Sequence, residues 1–451
     1  MKEDEDGKES VVKMENSLRE KPERHNARRL SDHLKLDGKK KVHSLVDKVY
    51  QRTNLEIAWK RVKANRGAGG ADGVTVEEFE KDLEANLERL HQELREGRYL
   101  PQPVRRLEIP KRGDPGKTRP LGIPSVFDRV CQQALVNRIE PIFEEVFDAG
   151  SFGYRKGRQT RDALKKIWHE IEEGNEWIVD ADLKDYFGSV DHEKLIVLVA
   201  QRISDGRVLK LIQQMLEAGY IEQGSLFPTS RGTPQGGVVS PCLSNVLLTP
   251  FDKEMRRKGY RLTRWADDWV VTCRTRSEAV QALATATKIL QKLGVTLNAK
   301  KTRIVNIKQG FEFLGFKIGQ GKGVLRLPAS KIKAKLNKRN LYALPKDKSV
   351  TRFKDAVRQK TRRRSPLTTE EIVKELNPLI RGWGNYYKRS NVRRLFNQLD
   401  AWIIRRLWSQ RNKKWRTNGW RTLSTQHLRE DLKLVSLIWL IPSLQAAKAR
   451  S

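Results

Sequence analysis

Cysteine is scarce in this chain: Cys131, Cys242 and Cys273 are the only three among 451 residues, and they stand far apart. No CxxC pair and no Cys/His cluster occurs, so neither a zinc module nor a disulfide framework is expected. Buried or inert thiols in a reducing compartment are the expectation. No apolar run approaches the ~18–20 residues of a membrane span. The opening MKEDEDGKES lacks the apolar core of a secretory signal. Neither a basic amphipathic anchor nor a lipidation motif stands out, so a cytoplasmic protein with no membrane partner is expected. Acidic residues are outnumbered, with 55 Asp and Glu against 90 Lys and Arg, a formal net charge of +35. That surplus excludes an ordinary small-metabolite enzyme as the default and calls for a polyanionic partner. A hydrophobic share of 38% is enough for sizeable cores and excludes global disorder.

The charge is unevenly placed. Residues 1–42 form a charged extension without aromatics, in which acids and bases nearly balance. Residues 331–451 carry 31 Lys and Arg against 8 Asp and Glu, a net of +23, together with six of the 11 Trp. This segment reads as helical, punctuated by Pro345, Pro366, Pro378 and Gly419. Between these ends, Val42–Asn65 shows helical spacing with Asn54 as a possible cap. The glycine-rich NRGAGGADGV follows, and Thr75 with Glu78 opens a helix expected to reach about Glu96. VRRLEI and TRPLGI flank the turn GDPGK and predict a hairpin. Residues 125–147 read as a helix with Pro141 marking a kink or new start. Helices and strands alternate without a regular βαβ repeat, which predicts an α+β fold rather than a Rossmann sheet.

Two acidic features carry the chemistry. RWADDWVV sets Asp267 and Asp268 among apolar β-formers, and paired carboxylates in a strand–turn–strand are costly unless a cation neutralises them. WIVDADLKDYF is an apolar strand ending in acids, with Asp180 and Asp182 on one face. Together they offer three carboxylates to two hard divalent ions. Mg²⁺ takes a few carboxylates plus substrate phosphates, and two such ions suit nucleotidyl transfer. His192, after Asp191, is expected to start a helix rather than to bind metal.

WADD resembles the YADD motif of reverse transcriptases, with Trp265 where that family usually has Tyr, and its flanks resemble those encoded by bacterial group II introns. NRGAGGADGV, IPKRGDPGKTRPLGIPSVFDRVCQQAL, FGYRKGRQTRDAL, DLKDYFGSVDH, GTPQGGVVSPCLSNVLL, LNAKKT, FLGFKIG and LNPLIRGWGNYYKR resemble the family's motifs in order, from about residue 43 onward. The resemblance implies a right-hand polymerase: fingers and palm over 43–320, an α-helical thumb or maturase domain over 321–415, and a basic DNA-binding tail over 416–451. It implies an RNA-directed DNA polymerase with two Mg²⁺ held by Asp182, Asp267 and Asp268. Asp180 remains the rival of Asp182. The same resemblance implies that Lys111 and Arg119 clamp the dNTP triphosphate and that Gln235 lines the pocket. Of Tyr186 and Phe187, one ring would pack under the incoming sugar, the alternative being a core aromatic pair. Lys301 is the candidate proton donor to pyrophosphate, with Lys300 as rival.

The implied partners are group II intron RNA, a template RNA–primer DNA duplex, target DNA and dNTPs. Candidate nucleic-acid contacts are Arg362, Arg363, Arg364, Arg381, Lys388 and Arg389, while Trp383 is expected to pack between thumb helices. No cysteine follows Cys273 and only His427 follows His192, so the Cys/His endonuclease domain common in the family is not expected. Two rival readings are a splicing-only RNA-binding maturase and an exapted reverse transcriptase in defence or repair.

Overall fold

The computed structural model describes residues 41–110, 116, 118–321, 340–412 and 423–442. Lys111, the GDPGK turn apart from Gly116, nearly all of the N-terminal extension, and Trp415 and Trp420 lie outside the described residues. The chain divides into two compact units, one ending at Ile304 and one beginning at Val305.

The first unit opens with α1 (Val46–Tyr50), α2 (Arg52–Asn65), α3 (Val76–Lys81) and α4 (Leu83–Glu96). Strands β1 (Val104–Pro110) and β2 (Thr118–Ile123) form the expected hairpin, and α5 (Val126–Glu144) follows. The Thr75–Glu78 capping box is present in full. Two expectations fail locally. Asp82 leaves helical geometry and splits the 76–96 helix in two. Asn54 lies inside α2 rather than capping it, where its buried amide donates to the carbonyls of Val49 (2.9 Å) and Ala134 (3.0 Å). Pro141 starts no new helix and sits within α5 near its end.

Next come α6 (Thr160–Glu172), β3 (Trp177–Asp182), α7 (Tyr186–Ser189), α8 (His192–Ala200), α9 (Gly206–Glu217), β4 (Tyr220–Glu222) and β5 (Ser225–Phe227). The unit closes with α10 (Ser240–Arg257), β6 (Arg261–Trp265), β7 (Asp268–Cys273), α11 (Arg276–Lys292) and the start of β8 (Arg303–Asn306). Two four-stranded sheets result, ordered β2-β1-β4-β5 and β6-β7-β3-β8. The second is the important one for function. Ile178, Val179, Val270 and Val271 are fully buried in it, so β3 and β7 carry an apolar centre, and Asp182, Asp267 and Asp268 gather at one end. Arg276–Lys292 covers this sheet through Ala279, Ala282, Ala286 and Leu290, small and apolar residues at helical spacing.

The second unit holds the antiparallel sheet of β9 (Phe311–Phe313), β10 (Phe316–Gln320) and β11 (Leu341–Pro345), then α12 (Asp347–Lys360), α13 (Thr369–Tyr387) and α14 (Arg393–Asn412). Residues 341–345 are therefore a strand where a helix was expected. Pro378 breaks nothing: it lies within α13, whose start is fixed by a Thr368–Glu371 capping box. Trp383 packs as expected, stacked on Phe353 at 4.5 Å and tilted against Phe396 at 5.7 Å. The described part of the C-terminal segment is no free tail. Leu423, Leu428, Leu434 and Leu437 are buried, and Asp400 and Asn377 bind its backbone.

Candidate active site

Register builds the acidic end of the sheet. In the antiparallel pairing of β3 with β7, Asp182 stands opposite Asp268 and Asp180 opposite Val270. In the β6–β7 hairpin Trp265 pairs with Asp268, leaving Ala266 and Asp267 as a two-residue turn. Ala266 takes φ +57°, the positive value such tight hairpins need at their first turn position. Three carboxylates from two strand ends and one turn thus share one end of the sheet.

The two rivals on β3 have different partners. Asp180 is 8% exposed and accepts from Arg303 Nε at 2.9 Å and Nη2 at 2.8 Å. Asp182 lies nearer the surface, with Lys301 Nζ 2.8 Å and Asn298 Nδ2 3.3 Å from its Oδ2. Asn298 also donates its backbone N–H to the Asp182 carbonyl at 2.9 Å. Burial pushes the Asp267 carboxyl above its ordinary range; the charge of Asp182 adds to this, and its own backbone N–H, Lys301 and Arg264 pull the other way. Among the described residues no three Asp, Glu, His or Cys side chains stand close enough to cage a metal unaided. The donor set still suits a hard divalent ion, because Mg²⁺ needs only one or two carboxylates and completes its shell with water and substrate phosphate.

A buried ion pair lies directly behind the hairpin. Arg264 is 0% exposed and binds Asp252 through Nε–Oδ1 at 2.7 Å and Nη2–Oδ2 at 2.6 Å. Burial lowers the pKa of the guanidinium, but Asp252 more than reverses this and holds the Arg264 pKa above its ordinary value. The segment 148–153 runs alongside β6, with Arg264 N–H donating to Gly150 O and Phe152 N–H to Arg264 O, both at 2.8 Å. Gly150 and Gly153 make that approach possible, since a Cβ on either would sit 2.4 Å from hairpin backbone.

The two aromatics after β3 separate in the structure. Tyr186 is 2% exposed, its hydroxyl donates to Ser244 O at 2.8 Å, and burial pushes its pKa up. It is packed in the core, the alternative that the sequence left open for one of the two rings. Phe187 is half-buried and meets Tyr186 edge-on at 5.4 Å. The loop carrying Gln235 is fastened at both ends: Thr233 N–H donates to Phe187 O and Gly122 N–H to Gln235 O, each at 2.7 Å. Gly236 has φ +118° and a Cβ there would lie 2.4 Å from Gly122 O. This loop therefore brings Gln235 between β2 and Phe187. Arg119 is on β2, opposite Ile109, and is half-buried. His192 opens α8 as expected, behind the Asp191 cap, and its Nε2 lies 2.7 Å from Gly232 O, which anchors the same loop.

Residues 109–318 match the reverse transcriptase (RNA-dependent DNA polymerase) family, and residues 350–428 match the group II intron maturase-specific domain. Protein YkfC of Escherichia coli (strain K12) is 32% identical, over 64% of this chain and 87% of its own length. The group II intron-encoded protein LtrA of Lactococcus lactis subsp. cremoris is 29% identical, over 76% of this chain and 69% of its own length. The chain belongs to the group II intron reverse transcriptases. This reverse transcriptase is an RNA-directed DNA polymerase with a maturase domain, in a family whose polymerases depend on divalent metal. Intron RNA is the partner that the maturase domain implies. No helix among the described residues is long and apolar enough to cross a membrane.

The six candidate nucleic-acid contacts of the reverse transcriptase all lie in its second unit. Arg362, Arg363 and Arg364 are exposed, and Arg363 Nε donates to Ser409 Oγ at 3.2 Å. Arg381 and Arg389 are exposed, while half-buried Lys388 donates to Asn385 Oδ1 at 3.0 Å. Sequence reasoning missed Arg406, whose guanidinium is fixed by Thr361 (3.1 and 2.9 Å), and Trp402, which carries Lys354 at 5.8 Å and Arg358 at 5.7 Å over its ring. It also missed Arg264. The available signal was a charge next to the DD hairpin within a β-strand, RLTRW, which demands a counter-charge once it is buried.

Proposed function

We propose that this polymerase copies intron RNA into cDNA by two-metal-ion nucleotidyl transfer during retromobility, and that its maturase domain binds the intron RNA to assist splicing. The reading rests on one observation: Asp182 faces Asp268 across paired strands, with Asp267 in the adjoining turn, so that three carboxylates share one end of the sheet. Asp182, Asp267 and Asp268 would hold two Mg²⁺ together with the dNTP phosphates. When bound, the ions activate the primer 3′-hydroxyl and stabilise the leaving pyrophosphate. Arg119 and Lys111 contribute positive charge to the triphosphate. Phe187 walls the sugar pocket and Gln235 lines it. Lys301, within 2.8 Å of Asp182, holds the proton that the pyrophosphate takes up. Target DNA and the template–primer duplex are bound through the basic residues of the second unit, Arg362, Arg363, Arg364, Arg381, Lys388 and Arg389 among them.

The test is primer extension on an RNA template by the double variant Asp267→Ala plus Asp268→Ala. Activity should fall by about 10³-fold or more, while the same variant still promotes splicing of the intron RNA. Full extension activity in the double variant overturns the proposal.

A further inference from the structure

The three carboxylates are not held in the same way. Asp182 and Asp268 are fixed by the β3–β7 ladder. Asp267 belongs to no strand, and its place depends on the turn it shares with Ala266. That turn is gripped at its carbonyl: Arg264 Nη1 donates to Ala266 O at 2.9 Å. The guanidinium is itself immobile. Its other four N–H groups go to the two oxygens of Asp252 (2.7 and 2.6 Å), to Asn245 Oδ1 (3.0 Å) and to Ser151 Oγ (2.8 Å). All five donors of the arginine fork are used. On its other side the turn lies close against Gly153, where a Cβ would sit 2.4 Å from Ala266 N, and the Gly153 carbonyl accepts from Asn245 Nδ2 at 2.9 Å.

A buried ion pair gives little stability over apolar residues of the same volume, because desolvation offsets the attraction. Stability therefore does not account for a fully buried Arg–Asp pair behind this hairpin. Geometry does: no apolar side chain can hold a carbonyl oxygen at a set point, and a lysine lacks the fork to reach Asp252 and Ala266 together.

We infer that Arg264 is the positioning residue for Asp267, its guanidinium fixing the turn on which that carboxylate stands and so the competence of the site for nucleotidyl transfer. The inference rests on the proposed role of Asp267, and the controls keep the two apart.

The experiment uses the full chain with two variants. Arg264→Met plus Asp252→Leu replaces the pair by apolar residues of similar volume and leaves no orphan charge. Arg264→Lys keeps the charge and loses the fork. Both are compared with Asp267→Asn for primer-extension kcat, dNTP KM, primer–template Kd, thermal melting and amide hydrogen exchange. The expected result is a cooperative melt and a primer–template Kd within about twofold of wild type, with kcat down about 10²-fold, as for a reacting group misplaced by an ångström. Amides of 265–268 should exchange faster while those of β3 stay protected. A kcat within about threefold of wild type in either folded variant overturns the inference. So does failure of both variants to melt cooperatively, which would make the network a folding element. If Asp267→Asn itself polymerises normally, the fault lies in the reading of Asp267 instead.

Discussion

Asp182 and Asp268 are cross-strand partners, directly opposite in the antiparallel pairing of β3 and β7, whereas Asp180 on the same face of β3 is opposite Val270 and bonded to Arg303. Two acids two residues apart therefore have separate work. Asp182→Asn should abolish RNA-templated extension, by about 10³-fold or more in kcat. Asp180→Asn should keep extension within about tenfold and lower stability by about 1–3 kcal/mol, because it weakens the partner of Arg303. Steady-state kinetics and thermal melting on both variants check this. The reverse ranking would return the metal-binding role to Asp180.

The raised Asp267 carboxyl has a pH consequence whose sign is fixed. A folded-state pKa above the unfolded value stabilises the fold at acid pH, and that contribution is lost as pH rises through the folded value. Ionised Asp267 is thus a cost to the metal-free protein at neutral pH. Asp267→Asn should melt at a higher temperature than wild type at pH 7 without divalent ions, and the gap should close as pH falls below the ordinary carboxylate range. Melting curves across that range decide it. A variant less stable than wild type at pH 7 would contradict the burial argument.

Tyr186 and Phe187 should differ sharply. Phe187→Ala should raise ribonucleotide incorporation relative to deoxyribonucleotide, since only Phe187 retains exposed surface. Tyr186→Phe removes the hydrogen bond to Ser244 O, so it should cost about 1 kcal/mol of stability and leave sugar selectivity unchanged. Competition between dNTP and rNTP in single-nucleotide extension, with melting curves alongside, separates the two.

What was legible in the sequence was local. The apolar run of WIVDAD ending in acids and the DD dipeptide between β-formers announce a strand end and a hairpin, and the structure places Asp182, Asp267 and Asp268 there. The family resemblance put Asp182 ahead of Asp180, but that Asp182 is the one opposite Asp268 is a matter of β3–β7 register, a contact across some 90 residues of chain that two same-face acids cannot reveal. The partners of Arg264 were hidden for the same reason: Asn245 and Ser151 lie 19 and 113 residues away. Asn54 misled because an amide able to cap a helix can equally serve a buried carbonyl of another helix, here Ala134. Pro378 misled because α13 is already capped upstream by Thr368 and Glu371, and the helix runs on through the proline.

The C-terminal segment offers a last test, because it is strapped down by side chains rather than by sheet pairing. Asp400 on α14 accepts from Ser436 Oγ (2.7 Å), Leu437 N–H (2.9 Å) and Ile438 N–H (3.1 Å). Asn377 on α13 accepts from Val435 N–H at 2.8 Å and donates to Lys433 O at 3.1 Å. Gly384 leaves the room: a Cβ there would lie 2.4 Å from Leu440 Cδ1 and 2.8 Å from Leu437 Cδ2. Asp400→Ala orphans three donors, two of them backbone groups, and should cost about 1–3 kcal/mol of local stability. The loss should appear as trypsin cleavage after Arg429 or Lys433 accelerated by about 10- to 100-fold, since cleavage follows the population of the opened segment. Gly384→Leu should give the same acceleration by crowding Leu437 and Leu440 out of their seat, with every hydrogen-bonding group intact. Unchanged proteolysis in both variants would mean that Leu423, Leu428 and Leu434 alone hold the segment, and that the polar strap contributes specificity of register rather than stability.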